Sequence, residues 1–175
     1  MLKVYFFEDT ENRLTTNDLS AFCYSFIKTF CPKRPIISTT KNGKPYLKYA
    51  TNLHFSISHS KNAAAVAVSD KEVGVDIEKF RIFDKRVAER VLLSDLTDNM
   101  DLLKLWTKCE AAIKQKGLRL RDIKNIVVNT NINDIHTFEH KNFVISVYNG
   151  TTEKPIFSEI ENEEATKLLE NTLLV

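Results

Sequence analysis

The order of its apolar periodicities predicts an α+β fold for this chain. A strand-like opening run precedes a helical stretch, three short β-like runs follow, and helices then give way to further strands. Glycine occurs only at Gly43, Gly74, Gly117 and Gly150, so neither GxGxxG nor GxxxxGK[ST] can be written. That excludes the Rossmann and P-loop phosphate cradles. A hydrophobic fraction of 43% with eleven Phe in 175 residues supports one good core, or two small halves sharing one.

Residues 2–7 read as the first strand. Thr15, Thr16 or Asn17 caps a helix whose Leu19, Phe22, Cys23, Phe26, Ile27 and Phe30 share one wide face, and Cys31-Pro32 stops it. Asn42-Gly43 is a turn signal ahead of Lys44-Pro45-Tyr46-Leu47. Residues 54–58, 63–69 and 73–78 read as strands joined by polar turns of hairpin length. Residues 84–93 form a helix. Asp98 or Asn99 caps a longer one, with an apolar seam at Leu102, Leu105, Trp106, Cys109 and Ile113 and Gly117 as its C′ residue. Strands at 125–132, 143–148 and 155–160 and a helix at 163–174 complete the prediction, with no internal repeat and no linker that divides the chain.

Composition bounds the function. No apolar run reaches the length of a membrane span, and the N-terminus turns acidic too early for a signal peptide. Cys23, Cys31 and Cys109 are odd in number and lack metal spacing, so reduced thiols in a cytoplasm are expected. A net charge of +2 does not by itself imply nucleic acid, and is compatible with an anionic substrate or an acidic partner.

The segment Gly74-Val75-Asp76-Ile77-Glu78 carries the chemistry. Strand side chains alternate, so Asp76 and Glu78 leave one face while Val75 and Ile77 leave the other. Two acids on one face repel unless a cation lies between them. Mg²⁺ is the obvious candidate, with Mn²⁺ as the alternative, and Mg²⁺ suggests a phosphate substrate. Further on, Glu110 and Lys114 lie one helical turn apart on a flank of the apolar seam.

Four segments occur in order: Gly43-Lys44-Pro45, Phe55-Ser56-Ile57-Ser58-His59-Ser60, Gly74 to Glu78, and Trp106 to Lys114. Together they resemble the 4′-phosphopantetheinyl transferases, specifically the larger surfactin-synthetase-activating type. The smaller type carries its G-x-D segment at the very N-terminus, whereas here it begins at Gly74. The resemblance implies a short version of a pseudo-duplicated fold: two similar α+β halves related by a pseudo-twofold, 1–70 and 71–175, with the site between them. It implies that Asp76, Glu78 and Glu110 surround Mg²⁺ on the pyrophosphate of coenzyme A. A serine of an apo acyl or peptidyl carrier protein would attack, and adenosine 3′,5′-bisphosphate would leave. Glu110 is the expected general base, directly or through water, with Glu78 the other candidate. Lys114 would offset charge on the transferring group, and Lys44, Ser58 and His59 would contact coenzyme A. His54, His136 and His140 match nothing, and Trp106 reads as core.

Two departures stand out. The family places Lys directly before the catalytic Glu, and this chain has Cys109 there. Lys108, rotated about 100° around the helix, substitutes only if its stem reaches back. The family's arginine-rich N-terminal helix is thin, with Arg13, Lys28, Lys33 and Arg34 as its only cations, and Lys116, Arg119 and Arg121 as other sources of charge. The expected protein is a cytoplasmic monomer, with no nucleic-acid or membrane partner. Rival readings are a degenerate paralogue that binds carrier protein or coenzyme A without catalysis, and a Mg²⁺-dependent phosphoester hydrolase.

Overall fold

A computed structural model describes residues 1–31, 35–49, 52–90 and 95–173. Lys33 and Arg34, residues 91–93 of the predicted 84–93 helix and the last residue of the predicted terminal helix lie outside them. The chain opens with strand β1 (Leu2–Glu8) and helix α1 (Thr16–Lys28). Thr15 caps α1 through a capping box with Asp18. The β2 (Ile36–Thr39) and β3 (Pro45–Lys48) strands form a hairpin around Gly43, whose φ of +90° suits glycine. Strands β4 (His54–Ser60) and β5 (Ala63–Ser69) form the next hairpin. Strand β6 (Gly74–Lys79) carries the two acids. Helix α2 (Lys85–Arg90) then precedes α3 (Asn99–Lys116), which Asp98 caps and left-handed Gly117 ends, as the sequence predicts. Helix α4 (Ile123–Asn129), strands β7 (His136–His140), β8 (Phe143–Tyr148) and β9 (Ile156–Glu159), and helix α5 (Asn162–Leu173) follow.

The architecture is α+β. One sheet has the order β4-β5-β1-β9 and another β6-β8-β7. In the first, β5 lies between β4 and β1; in the second, β8 lies between β7 and β6. The predicted hairpin between β5 and β6 is not formed, because β6 leaves to pair with β8. The predicted 125–132 strand is instead α4: Ile123 and Ile126 are buried one turn apart against α3, a helical spacing hidden by neighbouring β-branched residues. Strands β2, β3 and β7 went unpredicted.

Alternation sorts the side chains into layers. Leu2, Val4 and Phe6 of β1 and Ala63, Ala65 and Ala67 of β5 pack against Val75 and Ile77 of β6 and Phe143, Ile145 and Val147 of β8. This core joins the two sheets face to face. The outer face of the first sheet is covered by α1 and α5, and that of the second by α3 and α4. Among the described residues no helix is long and apolar enough to cross a membrane.

Candidate functional site

Strands β4 and β6 are edge strands of different sheets, and they meet without backbone pairing. Serines on alternate positions of β4 bridge them. Val75 N donates to Ser56 Oγ and Lys79 N to Ser60 Oγ, each at 3.1 Å. These hydroxyls satisfy edge amides that would otherwise lack partners. Ser58 Oγ donates to Asp76 Oδ1 at 2.9 Å, and Ser60 Oγ to Glu78 Oε2 at 3.1 Å. The serines thus orient the carboxylates that the sequence singles out.

Helix α3 crosses the β6 face that bears Asp76 and Glu78. Trp106, Glu110 and Lys114 recur every four residues and line one cavity of about 410 Å³ with Ser58, His59, Asp76 and Glu78. Lys114 Nζ lies 2.7 Å from Asp76 Oδ1 and 2.8 Å from Ser58 Oγ. The Glu110 carboxyl is pushed up to about 7, by burial first and by the charges of Asp76 and Glu78, with Lys114 opposing. A carboxyl poised near neutrality suits proton transfer.

Six predicted residues are therefore brought together: Ser58, His59, Asp76, Glu78, Glu110 and Lys114. Lys44 and Lys108 do not line this cavity. Lys44 lies at the C-terminus of α3, where its ammonium donates to Gln115 O at 2.8 Å and pairs with Glu72. Asn42 Nδ2 donates to Gly117 O at 2.9 Å, so the Asn42-Gly43-Lys44 turn satisfies carbonyls that a helix end leaves open. Lys108 is half-buried, and desolvation with neighbouring Lys104 holds its pKa below the usual lysine range. Cys109 is fully buried in the core beneath α3, its thiol pushed up to about 12. A packing thiol thus stands at the position before Glu110.

Sequence reasoning passed over several cavity residues. Trp106, read as core, is half-buried, lines the cavity and packs on Phe83 with ring centroids 5.6 Å apart. Its four-residue spacing from Glu110 was the available signal. Ser20 and Tyr24 of α1 also line the cavity, and nothing in their sequence neighbourhood marks them. The roles of Ser56 and Ser60 could have been found in the alternating serines of residues 56–60.

Among the described residues, no three His, Cys, Asp or Glu form a ready-made metal cage. The ammonium of Lys114 places a positive charge at the buried Asp76 carboxylate. In donor type, three carboxylates around one cavity, with burial first and then the charges of Asp76 and Glu78 raising Glu110, fit a hard dication.

No protein-family model matches the chain. Over 94 residues it is 36% identical to the 4′-phosphopantetheinyl transferase psf-1 of Bacillus pumilus, covering 47% of this chain and 40% of that protein. It is 32% identical over 90 residues to the 4′-phosphopantetheinyl transferase Sfp of Bacillus subtilis (strain 168), covering 46% and 40% respectively. A 33% identity over 85 residues links it to the 4′-phosphopantetheinyl transferase gsp of Aneurinibacillus migulanus, covering 43% and 35%. The chain therefore spans less than half the length of these relatives.

Proposed function

We propose that this chain, whose matched stretch belongs to the surfactin-synthetase-activating type of 4′-phosphopantetheinyl transferase, transfers 4′-phosphopantetheine from coenzyme A to a serine of an apo acyl or peptidyl carrier protein. The observation that carries this reading is the convergence of Ser58, His59, Asp76, Glu78, Glu110 and Lys114 on one cavity. The serine oxygen forms a bond to the β-phosphorus as the bond to adenosine 3′,5′-bisphosphate breaks, and the leaving group takes the electron pair. Glu110, with its carboxyl near neutrality, takes the serine proton directly or through water. Glu78 is the second candidate for that role. Lys114 offsets negative charge on the transferring group, and His59, exposed on β4 at the cavity, donates to a phosphate oxygen of coenzyme A.

Asp76, Glu78 and Glu110 would hold Mg²⁺ or Mn²⁺, which supplies charge neutralisation to the diphosphate when bound. The shared strand order of the two larger sheets supports two α+β halves, 1–70 and 71–175, facing each other across the cavity. Strand β9 pairs with β1 and α5 packs on α1, so the C-terminal segment returns to the first sheet. Three unpaired thiols suit a reducing cytoplasm, where the chain would act as a monomer. Cys109 packs in the core and Lys108 does not line the cavity, so Lys114 is the lysine of α3 that serves the transfer in this reading, and the degenerate binder remains the rival that the transfer assay separates.

The test is the intact mass of an apo acyl carrier protein incubated with this protein, coenzyme A and Mg²⁺. A gain of one phosphopantetheine that chelator abolishes supports transfer. Loss of coenzyme A with no change in carrier mass would replace it with hydrolysis.

A further inference from the structure

One cavity carboxylate, that of Asp76, carries a close ammonium. Lys114 reaches from α3 to Asp76 Oδ1 at 2.7 Å and Ser58 Oγ at 2.8 Å. Asp76 is nearly enclosed, with 8% of its side chain exposed, while that of Lys114 is 30% exposed. The same Asp76 oxygen also accepts from Ser58, so its capacity is taken up. Glu78 is held separately, by Ser60 Oγ at 3.1 Å and by Arg81 Nη2 at 3.5 Å. Lysine is a point charge on a flexible stem, able to exchange one anionic partner for another without losing charge.

We propose that Lys114 is a placeholder cation: it neutralises Asp76 until a divalent cation and a diphosphate arrive together. The inference rests on the transferase reading above. A dication arriving alone has to displace the ammonium from Asp76 and leave it stranded beside a second positive charge. A dication accompanied by a diphosphate offers the ammonium a new anion. Lys114 therefore couples the two ligands, and each raises the affinity of the other by the same factor. Direct contact between cation and phosphate contributes to coupling in every variant, so the share due to Lys114 is the difference between wild type and a neutral variant.

Mn²⁺ titrations followed by electron paramagnetic resonance, with and without coenzyme A, test this on wild type, Lys114→Met and Lys114→Arg. Wild type should bind Mn²⁺ weakly alone, and coenzyme A should tighten it by roughly tenfold or more. In Lys114→Met, Mn²⁺ alone should bind roughly tenfold more tightly than in wild type, with reduced coupling to coenzyme A. Lys114→Arg, which keeps the charge, should retain the wild-type pattern. Circular dichroism checks folding. If Lys114→Met does not fold, Ser58→Ala removes one of the two ammonium partners and should shift Mn²⁺ affinity in the same direction by a smaller factor. Unchanged Mn²⁺ affinity and coupling in the neutral variant overturn the placeholder and leave the transferase reading standing if the carrier still gains mass. Failure of wild type to bind Mn²⁺ even with coenzyme A, together with no gain in carrier mass, overturns both.

Discussion

Glu110 is raised by its surroundings from an ordinary value of 4.5 to about 7, and this has a consequence for stability as well as for chemistry. Between those values the folded chain holds a proton that the unfolded chain has released, so stability falls as pH rises through the window. Glu110→Gln removes that titration. In chelator, the stability of the variant relative to wild type should rise from pH 4 to pH 8 by on the order of 2 kcal/mol. Thermal melts across that range measure it, and parallel curves would mean the carboxyl is not held neutral. The same variant should lose transfer by roughly 10²-fold or more, because an amide cannot accept the serine proton. At this scale much was legible: alternation placed Asp76 and Glu78 on one face, and helical spacing placed Glu110 and Lys114 on one stripe. Lys44 was harder, since a lysine after a turn carries no sign that it reaches the end of a helix 71 residues away. Tyr24 was not legible, because its place at the cavity depends on how α1 sits on the first sheet.

At the scale of elements, the site depends on how closely α3 approaches β6. A Cβ added at Gly74 would lie 1.9 Å from Ala111 O and 2.3 Å from Gln115 N. Both are backbone atoms of α3, which cannot rotate aside. Gly74→Ala should therefore push strand and helix apart and cost about 3 kcal/mol in stability, read as a fall in melting temperature. Because Asp76 is two residues along β6 and Glu110 one before Ala111, transfer should fall in the folded fraction as well. Full activity per folded molecule would show that the approach is structural only. The glycine of Gly74 to Glu78 was visible in the sequence, but not its reason, which lies in a helix that begins 25 residues later. The misread 125–132 segment shows the converse. Its Ile-Val-Val run favours strand locally, and packing of Ile123 and Ile126 on α3 decides for helix.

At the scale of the whole molecule, the cavity lies where two sheets meet, so their spacing sets the distance from Ser58 on one to Asp76 on the other. Alanines at 63, 65 and 67 line the inter-sheet face of β5, and Ala65 pairs in register with Ser58 on the same face. Small side chains there allow close approach of the sheets. Ala65→Leu inserts bulk into that gap and should cost about 1–3 kcal/mol while separating Ser58 from Asp76. The informative comparison is Ile160→Ala, which opens a void in the outer core, at a cost of about 2–5 kcal/mol. Neither β9 nor α5, which flank Ile160, contributes to the cavity wall. Assayed well below both melting temperatures, Ala65→Leu should lose transfer at least tenfold more than Ile160→Ala despite its smaller stability loss, since about 1.4 kcal/mol of misplaced transition-state contact suffices. Equal losses in the two variants would mean that activity follows overall stability, and that the inter-sheet spacing does not tune the site.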